Sequence, residues 1–190
     1  GAHVTLGDLY SHRSGLPDHA GDELEDLGYD RRQVLTRLRE LPLAPFRASY
    51  AYTNFGLTAA AEAVAEAAGT DWARLSEEVL YRPLGMAATS SRFADYMARA
   101  NRAIPHVRQD GAFVAKYQRD PALQSPAGGV SSSARDMSAW LGFVLSRSHE
   151  ERLREALLPA MRPQTISSPA YARDARSGFY GYGFGAGVTP

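Results

Sequence analysis

Tyr52-Thr53-Asn54-Phe55-Gly56 places a tyrosine hydroxyl and an asparagine amide at the start of the run Phe55 to Ala68, which is rich in Ala and Glu and free of Pro. Such residues favour helix, and Gly69 stands where a helix C-cap belongs, so the run is predicted to be a buried helix. Asn54, immediately before Phe55, reads as the N-cap. Tyr52 has two readings at this point: a half-buried aromatic with a locally bonded hydroxyl, or a positioned proton-transfer group.

Toward the N-terminus, Thr5 followed by Asp8 caps a short helix through Leu6, Leu9 and Tyr10 that ends near Ser14-Gly15-Leu16-Pro17. The acidic stretch Asp18 to Gly28 reads as a surface loop. Asp30 with Gln33 then caps a helix in which Val34, Leu35, Leu38 and Leu41 keep helical spacing until Pro42. Toward the C-terminus, Thr70 is expected to cap a helix whose stripe of Trp72, Leu75, Val79 and Leu80 stops before Pro83. A further short helix is expected over residues 93–100. Asp110-Gly111 predicts a tight hairpin between Ile104 to Arg108 and Ala112 to Tyr117. Ser133 with Asp136 caps a helix through Met137, Trp140, Leu141, Val144 and Leu145, and another runs from about His149 to Leu158. Gly178 to Val188 alternates Gly with aromatics and reads as one strand, the first in the order outside the hairpin, with Phe179, Tyr180, Tyr182 and Phe184 as sheet core.

Tyr52-Thr53-Asn54 resembles the Tyr-x-Asn element of serine hydrolases of the class C β-lactamase and penicillin-binding-protein-like type. The flanks match in the family's order. Leu9 to Pro17 is similar to its L-L-x-H-x-S-G-L-P segment, with Tyr10 and Arg13 as departures. Pro83-Leu84-Gly85-Met86 and Thr89 follow the helix, and Pro126 to Asp136 resembles A-G-G-hydrophobic-x-S-x-x-D. The resemblance implies an α+β fold: a mostly helical region over about 1–176 with a hairpin near 104–118, and a returning sheet strand over about 178–188. It also implies an acyl-enzyme reaction on a small amide or ester substrate without metal or organic cofactor, and a periplasmic or secreted location. Tyr52 would then exchange protons with nucleophile and leaving group, and Asn54 would bond the substrate's acyl-side amide. Gly128 and Gly129 read as a substrate-facing loop, since glycine lets backbone approach a ligand closely. The Gly pair also reads as a plain turn, and His12 and Ser14 read either as cleft-lining residues or as residues that satisfy local backbone groups.

A serine hydroxyl needs a neighbouring base to act as nucleophile, which the family supplies in Ser-x-x-Lys. Lys116 is the single lysine here and Phe113 stands three residues before it. His19-Ala20-Gly21 matches His-x-Gly only as letters, in a predicted loop ahead of Tyr52. The expectation is therefore a single partial domain, with the nucleophile before Gly1 and the last motif after Pro190, and no turnover by these residues alone. The alternative is a non-catalytic ligand-binding or interaction domain on the same scaffold. A tyrosine working as a base also needs positive charge beside it. Arg47 is the nearest arginine in sequence, and nothing in the sequence fixes it there.

Composition narrows the partners. The 190 residues carry 21 basic and 21 acidic side chains without runs of like charge, which argues against nucleic acid. An apolar share of 44% suits one soluble domain with a core. The absence of cysteine removes disulfides, thiolates and Cys-zinc sites. No stretch is long and apolar enough to span a membrane. His3, His12, His19, His106 and His149 have no metal-binding spacing.

Overall fold

The computed structural model describes residues 3–145 and 150–187. Local capping chemistry sets the first helices. In α1 (Leu6–Tyr10), the Thr5 side chain accepts from the Asp8 N–H and the Asp8 carboxylate accepts from the Thr5 N–H. The same reciprocal pair, Asp30 with Gln33, opens α3 (Arg31–Arg37), which tightens into a 3₁₀ turn over Leu38–Glu40. Between them the expected loop contains a helix, α2 (Asp22–Asp26). It has no side-chain cap and is held instead by long-range bonds, because Glu25 accepts from Arg119 and Gln124.

α4 (Asn54–Ala67) is the central helix, with Phe55, Ala60 and Ala61 fully buried. Ala20, Val34, Leu38 and Phe55 form the core, flanked by Leu16, Leu24 and Leu123. Arg31 stitches α3 to α4 through Glu62 and to the carbonyls of Ala122 and Leu123. The cap of α5 (Trp72–Ser76) is Asp71, not Thr70, because the Asp71 carboxylate accepts from the Arg74 N–H. A wide π turn over Glu77–Tyr81 then rotates the expected stripe: Val79 is exposed, and Tyr81 is buried with its hydroxyl on Ser91.

After α6 (Phe93–Ala98), strands β1 (Val107–Gln109) and β2 (Ala112–Val114) form the expected hairpin. Asp110 and Gly111 both have positive φ, 51° and 83°, as a type I′ turn requires. α7 (Ser125–Gly128) leads into α8 (Ala134–Val144), which is capped by Ser133. The next helix, α9 (Glu151–Met161), has the place expected for it, and His149 lies outside the described residues.

The C-terminal reading needs correction. β3 (Thr165–Ser168), β4 (Gly178–Tyr180) and β5 (Gly185–Ala186) form a three-stranded antiparallel sheet in that order. The run read as one strand is thus a hairpin, closed where the Gly181 N–H reaches the Phe184 carbonyl at 2.7 Å, and Val188 lies outside the described residues. β3 was not expected, and β4 is paired on both edges. The helices together with two small antiparallel sheets make an α+β fold, the expected class.

Candidate active site

The segment before α4 approaches extended and turns into helix at Thr53, with φ −141° and ψ 117°, where Oγ1 accepts the Gly56 N–H at 2.8 Å. Thr53 is the cap, and Asn54, expected in that role, is the first helical residue. Its amide is left to other work. The backbone around Tyr52 is held on both sides. His12 takes the Ala51 N–H on its carbonyl at 2.9 Å and the Thr53 N–H on Nδ1 at 3.2 Å, while the His19 N–H donates to the Tyr52 carbonyl at 2.7 Å.

Thus fixed, the half-buried Tyr52 hydroxyl donates to Asn54 Oδ1 at 2.8 Å. Asn54 Nδ2 donates to Asp22 Oδ2 at 3.2 Å, and that same oxygen meets His19 Nδ1 at 2.9 Å. An ionised carboxylate only accepts, so Asp22 sets the amide's orientation: nitrogen toward itself, oxygen toward the tyrosine. Asn54 keeps a second N–H and a second lone pair beyond these two partners. α2 is what delivers Asp22 here. Gly21 enters it at φ 92°, and a Cβ at Gly21 would stand 2.9 Å from Val34 Cγ1 and 3.0 Å from Phe55 Cδ2, so no larger residue fits this approach.

The electrostatics separate the two histidines. His19 is exposed, and its hydrogen bond to Asp22, helped by Asp18, raises its pKa. His12 is 2% exposed, and burial pushes its pKa down to about 4 although Asp18 opposes this. Its ring packs against Tyr52, Tyr180 and Tyr50 at centroid distances of 4.7, 5.2 and 5.5 Å. Arg47 is engaged by Asp8: with Arg13 it binds the buried Asp8 carboxylate, by Nε at 2.8 Å and Nη2 at 2.9 Å. Lys116 follows the hairpin and donates to Gln109.

Tyr52 and Asn54 are therefore brought together, and Gly128 and Gly129 are not part of that cluster. Those two glycines line a cavity of about 510 Å³ with Phe93, Tyr96 and Arg102, and its lining does not include Tyr52 or Asn54. A Cβ at Gly129 would lie 2.5 Å from Ser125 Cα, so glycine there serves a close backbone approach, while Gly128 faces open space. Sequence reasoning missed Asp22, gave His12 no role at the tyrosine and set His19 aside as a chance match. A hydrogen-bonding residue directly after Gly21, and a histidine inside a recognisable segment, were the available signals. Among the described residues no group of His, Asp or Glu is arranged to hold a metal ion, and no helix is long and apolar enough to cross a membrane.

The beta-lactamase family model matches residues 1–190. Beta-lactamase-like protein 2 of Dictyostelium discoideum is 28% identical over 170 residues, covering 85% of this chain and 30% of that protein. Unguisins hydrolase ungD of Aspergillus violaceofuscus is 28% identical over 155 residues, covering 76% of this chain and 27% of that protein. Among solved structures, the octameric penicillin-binding protein homologue from Pyrococcus abyssi superposes with a TM-score of 0.78 at 19% identity, over 96% of this chain and 43% of that one. The chain thus spans under a third of the length of these curated relatives.

Proposed function

This chain belongs to the beta-lactamase family along residues 1–190, and we propose that it forms the tyrosine-bearing part of a serine hydrolase that cleaves a small amide or ester through an acyl-enzyme. Tyr52 exchanges protons with the serine nucleophile and the leaving group. Asn54 receives the substrate's acyl-side amide on its remaining lone pair and N–H. The observation that carries this reading is the Tyr52–Asn54 hydrogen bond at 2.8 Å, held at the start of α4 with the amide orientation set by Asp22. The family's hydrolases, among them one acting on unguisins, support an amide or ester substrate. Gly128 and Gly129 are better read as structural, since their cavity is lined without the Tyr52 pair.

On this reading the nucleophile and its base belong to a Ser-x-x-Lys segment of the full-length protein, which the engagement of Lys116 with Gln109 supports. The test is covalent labelling of that full-length protein with a fluorescent penicillin or fluorophosphonate, followed by turnover of the labelled class of substrate. Tyr52→Phe is expected to lower kcat by about 10²- to 10⁴-fold with little change in folding. Wild-type rates in Tyr52→Phe would remove Tyr52 from the mechanism. Saturable binding without any covalent label would favour the non-catalytic binding domain instead.

A further inference from the structure

We propose that His12 is a positioning residue for Tyr52, gripping the backbone on both sides of the tyrosine and doing so only as the imidazole tautomer protonated at Nε2. The inference rests on the reading of Tyr52 as the proton-transfer group. The N–H groups of Ala51 and Thr53 flank Tyr52, and both end on His12: one on its carbonyl at 2.9 Å, one on ring Nδ1 at 3.2 Å. A ring nitrogen that accepts a backbone N–H must offer a lone pair, which leaves the proton of the neutral ring on Nε2. Nε2 is buried and has no hydrogen-bond partner among the described residues, so the Thr53 bond and the three packed tyrosine rings fix the ring's direction.

The backbone shows the same constraint. His12 sits at φ 56°, a region that costs a non-glycine residue free energy and persists where surrounding contacts over-determine it. The groups facing the ring are Tyr50, Tyr52 and Tyr180, with Asp18 acting at longer range. Burial outweighs Asp18 and keeps the ring neutral near pH 7. A second proton would place Nδ1–H against the Thr53 N–H, donor against donor, and open the clamp. A displacement of the 51–53 backbone would carry the Tyr52 hydroxyl off Asn54, and misplacement of a reacting group by about 1 Å is worth roughly 10²-fold in rate.

Nitrogen-15 NMR of histidine-labelled protein reads the tautomer directly, and amide exchange at Thr53 reads the bond. Near pH 7, His12 is expected to be neutral with the proton on Nε2 and Thr53 to exchange slowly. His12→Phe keeps a ring and removes the acceptor, and should speed Thr53 exchange about tenfold or more. His12→Asn offers an amide oxygen as acceptor and tolerates positive φ, and should restore the protection. In the full-length enzyme, His12→Phe should lower kcat about 10- to 100-fold with KM little changed, and should cost nothing further in a Tyr52→Phe background. A proton on Nδ1, unchanged Thr53 exchange in His12→Phe, or an equal loss of kcat in the Tyr52→Phe background would each overturn the proposal. If His12→Phe fails to fold, the tautomer and His12→Asn decide the matter. Failure of the Tyr52 assignment itself would show as wild-type kcat in Tyr52→Phe, leaving the NMR results as they are.

Discussion

The Thr53 hydroxyl closes the first turn of α4 on the Gly56 N–H at 2.8 Å, which frees the neighbouring Asn54 amide to face Tyr52 and Asp22. The helix cap and the bond to Tyr52 thus fall to adjacent residues, and substitution should separate them. Thr53→Ala is expected to cost about 1–2 kcal/mol of stability, and Thr53→Ser to recover most of it, since serine keeps the accepting oxygen. Asn54→Ala should stay within about 0.5 kcal/mol, because its bonds lie in a half-exposed cluster and close no helix turn. Its effect should appear in acylation instead. Denaturant unfolding of the three variants measures the first part. A loss in Asn54→Ala equal to that in Thr53→Ala would return the cap to Asn54.

At the scale of elements, what could be read from sequence was what local bonds decide. Thr5 with Asp8, Asp30 with Gln33 and Ser133 with Asp136 each close within three residues, and the helices they open are present. Asp110-Gly111 likewise needs only its own backbone conformation. α2 and β3 were illegible because neither carries its own reason to form. α2 lacks a capping side chain and depends on Arg119 and Gln124, about a hundred residues away, and β3 exists by pairing with β4. The site divides in the same way: Tyr52 and Asn54 are two letters apart, whereas Asp22 and His12 reach them only through folded contacts. The segment after α7 gives a further test. A methyl at Gly129 meets Ser125 Cα at 2.5 Å, so Gly129→Ala should cost about 1–3 kcal/mol. Gly128→Ala points into open space and should change stability by less than about 0.5 kcal/mol, with KM unaltered. A raised KM in Gly128→Ala with unchanged stability would return that glycine to the substrate-binding surface.

Across the whole molecule, Asp8 joins parts that no single helix connects. Its carboxylate, fully buried, takes Arg47 from the loop before α4 and Arg13 from the turn after α1, and Arg13 continues to the Gln164 carbonyl at the edge of the sheet at 2.8 Å. The Arg47 pairing, against the opposing effect of burial, holds the Asp8 carboxyl well below the usual carboxylate range. Together with His12 this gives stability a two-part dependence on pH. The unfolded chain protonates His12 near its ordinary value of 6.5, while the fold delays that proton to about 4. Between those values the unfolded state binds more protons, so stability is complete above the window and falls as pH drops through it. Asp8, whose pKa is depressed, holds its contribution above the ordinary carboxylate value of 3.8 and loses it below. The exposed His19 has a raised pKa, so its contribution has the opposite sign, present in acid and lost as pH rises, and solvent screening keeps it small. Melting temperature should therefore decline from pH 7 toward 4 as His12 takes up its proton, and go on declining below 4 as Asp8 does. His12→Asn should flatten the upper part alone. Asp8→Asn should remove the lower part and cost about 3 kcal/mol at neutral pH, because two guanidinium groups lose their shared partner. A melting temperature that stays constant from pH 7 to 4 would show that the imidazole is not held neutral by the fold.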